Sequence, residues 1–242
     1  MHPNHDSDGT MRIHVAMNSK EDMLERILEP EVMDSQEEAI DYDSMDHSVV
    51  NQLFVADLLK VWQGQSPILD IGTGTAQIPI EFCHQSETGE IIAIDLAEEM
   101  LKLARRNVQK AGFEKRITLQ LVNARLLPYQ QGFFPVVISN SIVHHIPEPA
   151  LVFREMVRVA QPGATIFIRD LVRPPNRVEL ETLVARYAGT ANEHQQRMFR
   201  ESLQAALTVA EVRAQVQALG LNPAAVQQTS DRHWTWYCLN QQ

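Results

Sequence analysis

Apolar residues recur at two different spacings along this chain, and the change between them divides it near residue 65. Met23, Leu24, Ile27 and Leu28, following Ser19, keep the three-and-four spacing of a short amphipathic helix that Pro30 would stop. Val50, Phe54, Leu58 and Trp62 repeat that spacing more strongly, with Val49 and Leu53 beside them. An acidic stretch, Glu31 to Asp46, lies between the two patterns. Residues 1–64 are therefore expected to form a helical extension behind a loose polar tail, Met1 to Thr10.

Beyond Pro67 short apolar runs alternate with helical patterns, the rhythm of parallel βαβ units. Strands are expected over Ile68 to Ile71, Ile91 to Asp95, Ile117 to Val122, Val136 to Ser139 and Ala164 to Arg169. Helices are expected over Thr75 to Gln85, Ala97 to Ala111 and Ala150 to Ala160. The rhythm stops from Leu171 to Leu207, where Leu180, Leu183, Val184 and Tyr187, then Met198, Phe199 and Leu203, predict two inserted helices. Thr208 with Glu211 three residues on reads as a capping box opening a helix to Gly220. Ala224 to Gln228 and His233 to Leu239, flanking a turn near Asp231, read as an antiparallel hairpin. The expected fold class is α/β: a doubly wound, mostly parallel, seven-stranded sheet. It carries a C-terminal antiparallel hairpin, a helical N-terminal extension and a helical insertion after the fifth strand. Residues 65–242 would be one domain, with 171–207 inserted in it and 1–64 serving as extension and lid.

Composition narrows the function classes. The 242 residues are 44% hydrophobic and 21% charged, ordinary for a globular chain that buries its own core. No apolar run approaches the roughly 18 residues of a membrane span, and the N-terminus lacks the basic start and apolar stretch of a secretory signal. A net charge of −10 argues against a surface that tracks nucleic-acid phosphates. Cys83 and Cys238 have neither metal-ligand nor disulfide-framework spacing, so reduced thiols in a cytoplasmic protein are expected. No spacing involving His47, His144, His145, His194 or His233 is that of a metal site, and none is expected.

The stretch that carries most chemistry is Ile68-Leu69-Asp70-Ile71-Gly72-Thr73-Gly74-Thr75-Ala76, a buried strand breaking into a glycine turn that opens a helix. Gly72 and Gly74 allow a sharp turn and a ligand's close approach, and a side chain at position 72 is expected to occupy ligand space. A dinucleotide fingerprint would place a third glycine at position 77, where the chain has Gln77. Asp70, two residues before the first glycine, suits a ligand bearing an ammonium group. Asp95 ends the second strand, where its carboxylate can accept hydrogen bonds from both hydroxyls of a ribose.

These runs, together with Ile92-Ala93-Ile94-Asp95-Leu96-Ala97-Glu98-Glu99-Met100-Leu101 and Ser139-Asn140-Ser141-Ile142-Val143-His144-His145-Ile146, resemble the class I methyltransferases. The likeness is to the small-molecule branch that includes quinone-ring and sterol methyltransferases, strongest from Pro67 to Asp170. It implies a Rossmann-like fold, S-adenosyl-L-methionine as cofactor and a small-molecule methyl acceptor. It also implies that Asp70, Ile71, Gly72, Thr73, Gly74 and Asn140 surround the methionine part. Asp95 would hold the ribose, with Leu96 and Met100 against the adenine and Asn123-Ala124 near its amine. The same resemblance makes Tyr42, Asp43, Met45 and His47 a lid. His144 and His145 are expected on the rim near the transferable methyl, where a histidine can serve as base, and Asp170 at the pocket mouth with an acceptor-binding role. The Asp231 to Trp234 turn has no assigned chemistry.

Three other readings stand beside this one. A nicotinamide-dependent oxidoreductase is disfavoured by Gln77. A nucleic-acid methyltransferase is disfavoured by the acidity and by the absence of an Asn/Asp-Pro-Pro-aromatic motif after the fourth strand. A non-catalytic, cofactor-binding regulator is weighed against by the histidine pair and Asp170.

Overall fold

The computed structural model describes residues 24–29 and 36–241. Seven strands and eight helices are present among these residues. In chain order they are α1 (Gln36–Ser44), α2 (Ser48–Val61), β1 (Ile68–Ile71), α3 (Gln77–Gln85), β2 (Ile91–Asp95), α4 (Glu98–Ala111), β3 (Ile117–Leu121) and β4 (Phe134–Asn140). Then follow α5 (Pro149–Val159), β5 (Ala160–Leu171), α6 (Arg177–Ala188), α7 (Glu193–Ala205), α8 (Val209–Ala218), β6 (Val226–Gln228) and β7 (His233–Leu239).

The sheet order is β3-β2-β1-β4-β5-β7-β6, with β7 antiparallel to both of its neighbours and the other pairs parallel. Neighbouring residues of each strand feed opposite layers. Ile68, Ile91, Val136 and Ile138 pack against Phe54, Leu58, Phe82 and Leu101 of α2, α3 and α4. Leu69, Ile71, Val137 and Ile166 pack against Phe153, Met156, Val212 and Val216 of α5 and α8, with Trp234 and Trp236 of β7 completing that layer. Strands buried on both faces read as largely apolar runs, which is why Ile68–Ile71, interrupted only by Asp70, stands out in the sequence.

Two boundaries move for a physical reason. β4 and β5 both exceed their expected lengths because each ladder continues past the interruptions of the apolar run, Pro135 in β4 and Gln161-Pro162-Gly163 in β5: Phe134 pairs with Ala160, Asn140 with Arg169, and β5 runs on through Asp170 to Leu171 opposite His233. Pairing by backbone hydrogen bonds does not need apolar side chains, so the apolar run underestimates the strand. At the N-terminal side, the helix expected around Ser19 to Leu28 is absent from 24–29, its only described part. That segment is a strap: Leu24 N donates to Pro175 O at 3.0 Å and Ile27 N to Gln204 O at 3.4 Å. Its Leu24 joins Leu171, Leu180, Leu183 and Leu203 in the small core of the α6–α7 pair. The acidic stretch instead holds a helix, α1, whose Ala39 and Tyr42 pack on Ala97 and Met100 at the start of α4.

The capping box at Thr208 and Glu211 forms in both directions, Glu211 N to Thr208 Oγ1 at 3.2 Å and Thr208 N to Glu211 Oε2 at 2.7 Å. The polar turn before β7 also acquires a role. Asp231 accepts from Arg186 and the Tyr187 hydroxyl of α6, and the Arg232 guanidinium lies 3.4 Å from the centre of the Tyr187 ring. It fastens the inserted helices to the sheet.

Candidate functional site

Because β1 and β4 are adjacent and the chain order runs outward from both, their carboxyl ends splay and leave a crevice, the usual ligand position in open α/β sheets. The main pocket lies there. Its walls come from Gly72 and Gly74 after β1, Asp95 to Ala97 after β2, Val122 to Arg125 after β3, and Asn140 to Ile142 after β4. Met100, Tyr42, His145 and Ile146 complete it.

The glycine turn is held by the next strand. Gly72 N and Thr73 N both donate to Ile94 O, at 2.8 and 2.9 Å, and Gly74 N donates to Asp95 Oδ2 at 2.8 Å. The other Asp95 oxygen accepts from Ala97 N at 2.9 Å, so the carboxylate is fixed in orientation while keeping lone pairs for a ligand. Burial raises its pKa, against the effect of those backbone donors. Gly72 and Gly74 take φ of +74° and +55°, a region that favours glycine. The reason for Gly72 differs from the expected one. A β-carbon there would lie 2.3 Å from Ile142 Cδ1, so the space is taken by a neighbouring side chain of the pocket wall and not by the ligand volume. At Gly74 the nearest atom to such a carbon is Tyr42 Cε1 at 3.8 Å.

Asp70 is buried, with Oδ2 lacking any hydrogen-bond partner, and burial, with the nearby Asp95 charge adding to it, pushes its pKa up to about 7. Ile71 is fully buried in β1, and Thr73 is buried with its hydroxyl unpartnered. None of these three is on the pocket wall. Gly72, Gly74, Asp95, Leu96, Met100, Asn123, Ala124, Asn140 and His145 are. The Asn123 side-chain oxygen already accepts from Arg125 N at 2.9 Å, which leaves its NH₂ uncommitted to that turn.

The histidine pair divides. His145 lines the pocket, and burial, with the His144 charge adding to it, pushes its pKa down to about 3, so it is neutral. His144 is buried away from that wall, with Nδ1 2.6 Å from Asp170 Oδ1. Burial opposes its charged form, but Asp170 and Glu29 outweigh that and raise its pKa. Asp170 is not at the pocket mouth. It is 1% exposed and also accepts from Val143 N and Leu171 N, at 2.5 and 2.6 Å. Burial disfavours its charge, yet His144 and these donors hold it below the ordinary carboxylate range. The pair thus anchors the turn that presents His145. Arg169, beside Asp170 on β5, bonds Asp57 and Thr235 at 2.8 and 2.9 Å.

Gln77, where a dinucleotide site would need glycine, joins the N-terminal helices to this crevice. Its Oε1 accepts from Asn51 Nδ2 at 3.0 Å and its Nε2 donates to Asp43 Oδ1 at 3.4 Å. Asn107 donates to the same Asp43 oxygen at 2.9 Å. These contacts set α1 so that Tyr42 faces the pocket; burial and nearby carboxylates push its phenol up to about 12, so it stays protonated. On the opposite side Arg26 donates to Ala205 O, Ile146 O and His144 O at 2.6, 3.0 and 3.3 Å, closing the strap over the histidine turn. Sequence reasoning missed Arg26, Glu29 and Arg125, since none sits in a motif and each gains its position only from tertiary packing; Ile142 stood in the run after β4 without being given a role.

Fold and crevice together define a Rossmann-like α/β protein shaped to take a nucleoside-bearing ligand at the β1/β4 switch. A family profile described as a methyltransferase domain matches residues 63–232, and the chain belongs to that family. A ubiquinone/menaquinone biosynthesis C-methyltransferase of Yersinia pestis is 28% identical over 122 residues, 50% of this chain and 48% of the relative. The chain thus matches about half the length of the curated relatives it resembles. A SAM-dependent methyltransferase from Aquifex aeolicus shares the fold with a TM-score of 0.61 at 19% identity, covering 85% of this chain and 98% of that one. The [4+2]-cyclase SpnF shares it with a TM-score of 0.52 at 17% identity, covering 77% and 80%. One fold therefore carries more than one chemistry. Among the described residues no helix is long and apolar enough to cross a membrane.

Proposed function

We propose that the chain is an S-adenosylmethionine-dependent methyltransferase acting on a small-molecule acceptor. The observation that carries the reading is the placing of Asp95 and the Gly72–Gly74 turn on one wall, bonded to each other, with the carboxyl of Asp70, whose Oδ2 has no hydrogen-bond partner, buried at the root of that turn. These groups fit the cofactor piece by piece: a carboxylate with spare lone pairs for the ribose hydroxyls, an apolar slot of Leu96, Met100 and Ala124 for the adenine, and a buried carboxyl, able to ionise near pH 7, for a methionine ammonium. The NH₂ of Asn123 suits a ring nitrogen of the adenine, and Asn140, on the wall after β4, would face the methionine part. The bound cofactor supplies a methyl group already activated on a sulfonium.

With such a donor, the chain's own residues have mainly to position and to exclude water. Tyr42 and the α1 segment cover the pocket from one side, and Ile142, His145 and Ile146 wall it from the other. The strap at 24–29 and the α6–α7 pair stand behind that second wall, which supports a jointly built acceptor side. His145 offers a neutral imidazole there. A group with a pKa near 3 is a poor general base at neutral pH but a good hydrogen-bond acceptor for an acceptor hydroxyl or amine. His144 and Asp170 act as positioning residues for it. A small acceptor is further supported by the net charge of −10 and by the name of the Yersinia relative.

Calorimetry with S-adenosylhomocysteine, paired with a metabolite screen for its formation from S-adenosylmethionine, tests the reading. Tight binding that Asp95→Ala weakens by about 1 to 3 kcal/mol is expected. No binding of either cofactor form by the intact protein overturns it.

A further inference from the structure

Behind the acceptor wall, three side chains from two distant stretches of the chain bring lone pairs together. Glu29 comes from the strap, and His144 and His145 from the turn after β4. One ligating atom of each lies within 4.8 Å of the others. The side chains of Glu29, His144 and His145 are 7%, 4% and 18% exposed. Glu29 Oε1 has no hydrogen-bond partner, and Oε2 stands 3.5 Å from His145 Nδ1, too far for a good hydrogen bond.

A buried carboxylate oxygen with no donor is unfavourable. Arg26, on the same strap, directs its hydrogens to the carbonyls of Ala205, Ile146 and His144. Ser202 faces Glu29 as well, but Oε1 remains unpartnered. His145 is neutral and has a lone pair to give. Asp170 at 2.6 Å keeps the proton of His144 on Nδ1, so Nε2 is the nitrogen available for a ligand. A histidine whose far nitrogen donates to a buried carboxylate is the arrangement that metal-binding histidines adopt.

We propose that Glu29, His144 and His145 form a binding site for one divalent transition-metal ion of the zinc type, with Asp170 orienting His144. Two imidazoles and a carboxylate are a ligand set zinc accepts, and three protein ligands leave a coordination position open. Bonds of about 2.1 Å require the ligating atoms to draw in to roughly 3.4 Å of each other, a matter of side-chain rotation. The ion would bind at Nε2 of His144, and any imidazolium proton there is released to solvent as it does so. Because His145 also lines the main pocket, an ion held by these residues would lie beside its acceptor end. There the ion would bind an acceptor oxygen and make its proton easier to lose, a role that rests on the methyltransferase reading; the binding of the ion does not. The spacing of the histidines alone pointed away from a metal because the third ligand lies far from them in sequence.

The test uses the full chain without an affinity tag. Equilibrium dialysis against Zn²⁺, followed by elemental analysis, is expected to give about one bound ion per chain beyond the amount held by Glu29→Gln and His145→Gln. Both variants keep the N-terminal His2 and His5, so the difference isolates this site. Asp170→Asn should weaken the affinity by about 10–100-fold. Co²⁺ in place of Zn²⁺ should give the intense visible bands of a low-coordinate site, with X-ray absorption showing two imidazoles. Equal retention of Zn²⁺ by parent and both variants overturns the proposal. So does a Co²⁺ spectrum of the parent alone that shows only a hexa-aquo-like ion, a result independent of how the variants fold. Binding of S-adenosylhomocysteine, measured on the same samples without metal, keeps failure of this site distinct from failure of the proposed activity.

Discussion

Nδ1 of His144 and Oδ1 of Asp170 lie 2.6 Å apart, with both side chains almost wholly out of solvent. A buried pair of this kind is felt most when one partner is removed. Asp170→Asn is expected to lower unfolding free energy by about 3 to 5 kcal/mol in urea titrations at pH 6, since it leaves His144 without its counter-charge. The pH dependence has two limbs. Asp170, with its pKa lowered, contributes stability above the usual carboxylate value that is lost as pH falls through the folded pKa. His144, with its pKa raised, contributes stability that is full below 6.5 and is lost as pH rises through the folded value. The parent's advantage over Asp170→Asn should therefore peak in mildly acidic solution and shrink on either side.

Asp70 should trade stability for binding. Its pKa of about 7 lies above the unfolded value, so the free protein loses stability as pH rises from about 4 to 7 while this buried group is forced to ionise. Asp70→Asn is expected to stabilise the free protein at pH 8, by an amount on the order of a few kcal/mol. It should also weaken S-adenosylhomocysteine binding. In the parent that affinity should rise toward tenfold per pH unit below pH 7 and level off above it. A flat profile in the parent, read by calorimetry, would separate Asp70 from the ligand.

Gly72→Ala is expected to act on folding before it acts on binding. The new β-carbon would meet Ile142 Cδ1 at 2.3 Å, and φ of +74° adds strain. The melting temperature should fall by several degrees, about what a loss of 1 to 3 kcal/mol produces in a chain of this size. Ile142→Ala on the same background should restore part of it. Complete absence of rescue by thermal denaturation would locate the whole effect in the backbone angle.

Arg26→Ala is expected to release the strap without unfolding the sheet. The guanidinium holds three carbonyls, two of them in the histidine turn. Amide hydrogen exchange across residues 24–29 and 143–146 should accelerate, with the protection of β1 and β4 unchanged. Under the proposed activity, turnover should drop more than affinity for S-adenosylhomocysteine. An equal loss of both would make the strap part of the cofactor site instead.

The legible parts of the sequence were those whose signal is local. β1 and β2 begin and end where expected, because burial of most of their residues forces an apolar run, and the glycine turn announces itself because left-handed backbone favours glycine. The wall residues from Asp95 to Met100 follow from their distance to that turn. What stayed hidden depends on distant partners. Apolar spacing around Leu24 resembles a helix, yet the strap finds its hydrogen bonds in Pro175 and Gln204, which no local pattern reports. Asp170 stands at a strand end, where ligands bind, but Val143, His144 and Leu171 saturate it from within. Glu29 reads as one acid beside a proline until the fold carries it to the histidines.

The insertion of β7 between β5 and β6 sets an order on how this chain is assembled. β5 exposes one full row of backbone N–H and C=O groups until β7 arrives, and three helices, α6 to α8, are synthesised in the interval. Throughout that interval a nascent chain presents a long, largely apolar strand with an open edge, the kind of surface other strands add to. The tryptophans that finally cover one face, Trp234 and Trp236, are contributed by the same late strand. Chaperone dependence and aggregation in cells should therefore be governed by changes in β7 far more than by changes in the cofactor crevice, which is complete before β7 is made.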